Sequence, residues 1–180
     1  MKRRLKAYKK TVSIVDESTI ALYESLGREK KGFLMESNDK ENGRYTFMGV
    51  EPEALIQSDG DSLVITKADG TKEVRRGNPL ERLKEYYSEF EIIKEDGELE
   101  FTGGLVGSLG YDFIRYTEDL PDDNEDEIGI ETIQLMLASK FLAIDHVAET
   151  FTAVILEEDS PEGKKRAEQE AKELIARARK

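Results

Sequence analysis

An α+β fold, with largely antiparallel sheet and a few packed helices in a single domain over residues 1–180, follows from three features of this sequence. Asp-Gly pairs at 59–60 and 69–70 separate short extended runs, a strong signature of successive hairpins because such turns need positive φ. Helical periodicity is confined to a few stretches well apart from one another. The extended runs follow one another directly instead of alternating strictly with helices. At 180 residues the chain is long enough to bury a sizeable core, and its 38% apolar and 37% charged composition is that of a polar globular domain.

Taken in order, Asp16 and Ser18 offer caps for a first helix whose apolar stripe runs through Thr19, Leu22, Tyr23 and Leu26 and stops at Gly27. Gly32 to Met35 reads as a strand, and a polar loop leads to a second, Arg44 to Val50. Ala54–Gln57, Leu63–Thr66 and Lys72–Arg75 form the antiparallel meander around the two Asp-Gly turns. Asn78 caps a second helix with Pro79 at its first position, and Leu80, Leu83, Tyr87 and Phe90 are its predicted buried face. A glycine-rich run ends at Gly110, and Tyr111 to Tyr116 suits one or two helical turns. Ile133 to Ile144 is apolar on both parities, which predicts one central strand buried on both faces, with Phe151 to Leu156 as its partner across a turn at 145–150. Ser160-Pro161 opens a last helix with Ala167, Ala171, Leu174, Ile175 and Ala178 inward, and Glu168–Lys172 and Glu173–Arg177 as supporting ion pairs. That helix has no terminating glycine, so the expectation is of a domain leading into further chain.

Composition excludes several kinds of chemistry. There is no cysteine, hence no disulfide framework and no thiolate nucleophile or metal ligand. The one histidine, His146, stands beside Asp145 in a turn, so a multi-histidine metal site is impossible, and no serine motif accompanies it. A net charge of −12 disfavours nucleic acid. No stretch is long and apolar enough to span a membrane, and the basic start lacks the apolar region of a signal peptide, which predicts a cytoplasmic location.

Gly103 to Gly110 resembles a phosphate loop only superficially. Tyr111-Asp112 follow where a P-loop needs Lys-Ser/Thr, and the glycine spacing differs from G-x-G-x-x-G, so close packing of another backbone is the expectation. Asp122, Asn124 and Asp126 alternate as in a calcium loop, but Glu127 and Ile133 stand where glycine and glutamate belong, so no metal site is expected. The strand pair around 34–49 is more suggestive. Side-by-side strands would bring Glu36 and Ser37 near Arg44 or Tyr45. Glu36 suits an ammonium group and Arg44 a carboxylate, the two charged ends of an amino acid. A surface pair of Glu36 with Arg44 is the plainer alternative.

Leu34-Met35-Glu36-Ser37, followed by Gly43-Arg44-Tyr45-Thr46-Phe47-Met48-Gly49 and Pro52, resembles the amino-terminal domain of anthranilate synthase component I, a chorismate-utilising family. Phe101-Thr102-Gly103-Gly104-Leu105-Val106-Gly107, then Gly110-Tyr111-Asp112 and Leu120-Pro121, is a second landmark, and Phe141 to His146 a third. Met35 and Ser108 depart mildly from the family pattern, where leucine and tyrosine are usual. The resemblance implies a domain of an enzyme of tryptophan biosynthesis, a lyase that makes anthranilate from chorismate with ammonia from a glutamine amidotransferase subunit. The catalytic domain, with its magnesium, would lie outside this chain, which would itself carry no catalytic residue, no metal and no cofactor. Its partners would be L-tryptophan, its own catalytic domain and the amidotransferase. Glu36 and Ser37, with Arg44, Tyr45 and Thr46 beside them, would supply one wall of the tryptophan feedback site. The amino-terminal domain of aminodeoxychorismate synthase component I, in the folate pathway, and a stand-alone amino-acid-binding module are the alternatives.

Overall fold

A computed structural model describes residues 2–14, 18–27, 30–36, 43–93, 99, 101–121 and 127–180. Its strands are β1 (Arg3–Ser13), β2 (Gly32–Glu36), β3 (Tyr45–Val50), β4 (Ala54–Asp59), β5 (Ser62–Lys67), β6 (Lys72–Arg76), β7 (Phe90–Ile93), β8 (Gly104–Leu109), β9 (Ile133–Ala138), β10 (Lys140–Asp145) and β11 (Thr150–Glu158). The helices are α1 (Thr19–Gly27), α2 (Pro79–Ser88) and α3 (Pro161–Ala178), with a 3₁₀ helix at Tyr111–Tyr116. A six-stranded sheet has the order β2-β3-β10-β11-β1-β7, and a five-stranded sheet the order β6-β5-β4-β9-β8. All pairings are antiparallel except β1 with β7. The fold class is the expected α+β.

The helix starts follow their capping chemistry. Asn78 Oδ1 accepts from the backbone N–H of Leu80 at 3.0 Å and of Glu81 at 3.3 Å. Ser160 Oγ accepts from Gly163 N–H at 3.0 Å, and Ser18 Oγ from Ala21 N–H at 3.2 Å. Each satisfies donors that the first helical turn cannot. The inward stripe of α3 is buried as expected, but its ion pairs differ. Glu168 meets Lys164, Gln169 donates to Glu173, and Arg177 reaches across to Glu51. On α2 it is Tyr86 that is buried, while Tyr87 is exposed. Phe90 begins β7, so its direction is not set by the helix, and its ring meets Tyr86 edge-on at 5.2 Å.

Two further features differ from expectation. The start of the chain forms β1, whose pattern is obscured because lysines and arginines occupy five of its eleven positions. Residues 133–144 are not one strand. β9 ends at Ala138 in the five-stranded sheet and β10 begins at Lys140 in the other, with Ser139 between them accepting from Leu156 N–H at 2.7 Å. Burial on both faces holds for β10, whereas Gln134, Leu135 and Met136 of β9 are only partly buried, and apolarity alone does not mark where a strand changes sheets.

The layers follow from which faces are apolar. Leu142, Ile144, Phe151, Ala153 and Ile155 face α1 and α3 on one side of the six-stranded sheet. Phe141, Ala143, Val154 and Leu156 face the five-stranded sheet, meeting Val106 and Met136. The far side of the five-stranded sheet, through Ile56, Leu63, Ile65 and Leu137, is covered by Tyr86 and Leu83 of α2 and by Phe113 and Tyr116 of the 3₁₀ helix. Gly107 behaves as the sequence suggests: at φ +151°, a Cβ there would run into the backbone of Gln134 and Leu135 on β9.

Replacing Phe141, which is fully buried and ringed by Phe33, Phe47 and Phe101, with alanine is expected to lower stability by about 3–5 kcal/mol. Asn78→Ala, which removes one cap, should cost about 1 kcal/mol. Urea unfolding of the two variants measures both, and equal losses would contradict this account of the core.

Candidate functional site

The β2–β3 pair lies at one edge of the six-stranded sheet, with Glu36 opposite Thr46 and Met35 opposite Phe47. β3 pairs on its other side with β10, placing Tyr45 opposite Asp145. The end of β3 and the turn after β10 are thereby joined, and His146 N–H donates to the Arg44 carbonyl at 3.0 Å.

Arg44 does not reach Glu36. Its Nε and Nη2 grip the Asp145 carboxylate in a bidentate fork, the shortest contact being 2.6 Å from Nη2 to Oδ2. Asp145 Oδ1 also accepts from the N–H groups of Val147 and Ala148, each at 3.0 Å, which closes the turn between β10 and β11. The guanidinium beside it is the main reason its carboxyl titrates low, at about 2, and the two N–H groups add to the effect. The Arg44 guanidinium also lies over the Tyr45 ring, 5.0 Å from its centroid. Thr46 is fully buried, and its hydroxyl is 2.8 Å from His146 Nε2. His146 therefore has a structural contact, in keeping with its place in a turn.

Of the five residues singled out from the sequence, the structure brings Arg44, Tyr45 and Thr46 into one network with Asp145 and His146. Glu36 stands exposed at the end of β2, across from Thr46. Ser37 lies outside the described residues, as do Asp122, Asn124 and Asp126 of the calcium-like pattern. Sequence reasoning noted Asp145 and His146 as motif members without seeing that they hold Arg44 and Thr46. The pairing that joins them spans about a hundred residues, and no local pattern reports it.

A cleft of about 280 Å³ opens between the two sheets at the other end of β2. It is lined by Lys31 and Gly32, by Leu55 and Gln57 of β4, and by Gln134 to Met136 of β9. One ammonium group, two amides and aliphatic side chains suit a small ligand with a carboxylate and an apolar body. Glu36 lies four residues further along β2, about 13 Å at the usual rise per residue. Lys31, Gln57 and Gln134 carried no sequence signal, because their juxtaposition exists only once the sheets pack. Among the described residues no group of three or more metal-ligating side chains comes together, and no helix is long and apolar enough to cross a membrane.

No family model matches the chain. It is similar to anthranilate synthase component 1 of Acetivibrio thermocellus, 28% identical over 141 residues, which is 77% of this chain and 28% of the relative. The Bacillus caldotenax protein of the same name is 31% identical over 148 residues, 76% of this chain and 28% of its own length. That of Pseudomonas aeruginosa is 28% identical over 170 residues, 91% of this chain and 34% of its own. Among solved structures, anthranilate synthase component I from Streptococcus pneumoniae TIGR4 superposes with a TM-score of 0.53 at 26% identity, covering 91% of this chain and 36% of that one. The chain thus spans about a quarter to a third of the length of the curated relatives it matches.

Because the folded Asp145 carboxyl titrates at about 2 against an ordinary 3.8, its contribution is whole above about pH 4 and is lost as pH falls toward 2. Asp145→Asn should therefore be less stable than the parent at neutral pH, with the gap closing between pH 4 and pH 2. Unfolding curves taken across that range test it, and a gap that stays constant with pH would refute the Arg44–Asp145 account.

Proposed function

We propose that this chain, a relative of anthranilate synthase component I, is the amino-terminal domain of such an enzyme and supplies one wall of its tryptophan feedback site. The observation that carries this reading is the pattern of coverage: relatives of one name match most of this chain, while this chain matches a quarter to a third of each of them. The conversion of chorismate and ammonia to anthranilate would then belong to polypeptide beyond the matched stretch, along with the magnesium and the contact with a glutamine amidotransferase. The role of this domain is to bind an inhibitor and bias a catalytic domain it does not contain.

Within the wall, Glu36 receives the ammonium group of the amino acid and Ser37 adds a hydroxyl. Arg44 serves as frame instead of grip, because Asp145 already holds the Nε–Nη2 edge of its guanidinium. Tyr45 lies under that guanidinium, and Thr46 fixes the end of β3 through His146. The charge balance supports this division: an exposed carboxylate at the edge of the sheet is available to a cation, whereas the charge of Arg44 is already balanced by Asp145 and attracts a second anion less.

Thermal unfolding with and without millimolar L-tryptophan, with L-phenylalanine as control, is the direct test. Tryptophan at about a hundred times its dissociation constant should add about 2.7 kcal/mol, a rise of a few degrees. Ser37→Ala and Glu36→Gln should abolish the rise, while Arg44→Gln should lower the midpoint of the free protein and leave a rise in place. Equal shifts with the two amino acids, or a rise that survives Glu36→Gln and Ser37→Ala together, would refute the site.

A further inference from the structure

Half of the large hydrophobic side chains that stand exposed among the described residues fall between 109 and 130. Leu109 ends β8, Tyr111 and Ile114 project from the 3₁₀ helix, Leu120 follows it, and Ile130 precedes β9. Tyr111 is 96% exposed and Ile130 62%. In a chain that is 37% charged, such a concentration marks a surface built to be covered.

The surface is held in shape. Gly110 N–H donates to the Thr132 carbonyl at 2.7 Å, which sets the segment around 109–111 beside that around 130–132. Phe113 and Tyr116 turn inward, meet edge-on at 5.7 Å and pack against the five-stranded sheet, so the outer side chains of the same helix face solvent. Arg115 ties Asp112, at 2.8 Å, to the carbonyls of Leu120 and Pro121. Asn78, the cap of α2, donates to the Tyr116 carbonyl at 2.8 Å. β8 is also the last strand of its sheet, and it carries no charged residue, unlike β6 at the opposite edge.

The rim decides what fits. Among the described residues of 109–133 there are five acidic side chains, Asp112, Glu118, Asp119, Glu127 and Glu131, and a single basic one, Arg115. A second copy presenting the same face would set these acids against each other. A partner with an aliphatic centre and a lysine- and arginine-rich margin would be attracted. We infer that this face docks the polypeptide that component I relatives carry outside the matched stretch, through a surface of that chemistry. The inference rests on the functional reading above. Matching relatives extend for roughly three times the length this chain covers, and a domain of such an enzyme must present some face to the remainder.

The test combines this 180-residue protein with the unmatched part of the Acetivibrio thermocellus relative, produced separately, and measures binding by calorimetry at low and high salt. Binding is expected, weaker at high salt, and weakened on the order of tenfold or more by Ile114→Asp and by Leu109→Asp, with the thermal midpoint of each free variant unchanged because both side chains are exposed. Binding that the two variants leave intact would overturn this face while leaving the functional reading in place. Absence of any binding would overturn the docking inference, and the functional reading would fall with it only if L-tryptophan also left the thermal midpoint unchanged. A concentration-dependent dimer of this chain alone in sedimentation, broken by the same variants, would assign the face to a second copy instead.

Discussion

Phe141 is the point on which the two sheets depend. It lies two residues after Ser139, where the chain changes sheets, and its ring meets those of Phe33, Phe47 and Phe101 at centroid distances of 6.4, 6.2 and 4.9 Å. Those three rings come from β2, from β3 and from the segment leading into β8. One buried aromatic cluster therefore fixes the edge that carries Glu36, the strand that carries Tyr45 and Thr46, and the approach to the glycine-lined strand. Aromatic clusters of this kind combine large buried area with geometric preference. The candidate site is consequently an outgrowth of the core: moving Phe47 moves Tyr45 and Thr46 with it.

Much of this was legible in the sequence. The α+β class, the two Asp-Gly hairpins, the Asn78-Pro79 and Ser160-Pro161 helix starts and the inward stripe of α3 all rest on interactions within a few residues of one another, and the structure agrees with them. The illegible part is non-local. β1 is masked by its own basic side chains, which lie across the sheet surface while Leu5 and Ala7 are buried. The division of 133–144 into two strands depends on which neighbours each half finds, a property of the assembled sheets. At the site, the sequence placed Glu36 and Arg44 near neighbouring strands but gave no sign that Asp145, about a hundred residues away, holds the Arg44 guanidinium. A carboxylate held by two backbone N–H groups at a turn is a fixed partner, and a fixed partner prevails over an exposed one such as Glu36.

Charge is arranged with similar economy away from the site. Glu51, at φ +57°, accepts from Lys30 at 2.5 Å and from Arg177 at 2.7 Å, and its carboxyl is drawn down to about 2, chiefly by these two partners. Arg177 also donates to the Leu26 carbonyl at the end of α1. One arginine near the end of α3 thus satisfies a helix terminus and a strained bend between β3 and β4.

β1 runs antiparallel to β11 over its last nine residues, from Leu5 against Glu158 to Ser13 against Thr150, so the opening strand of the chain is paired with the strand just before the final helix. During synthesis on a ribosome, the first strand emerges long before its main partner exists. Until then its alternating apolar positions have only the short parallel contact with β7 to occupy them. The pairing of β1 with β11 therefore forms late and closes a loop of well over a hundred residues, which slows folding. A nascent chain of this kind is exposed for most of its translation to wrong strand pairing, and the row of lysines and arginines along β1 is the feature that keeps that waiting strand apart from other edges.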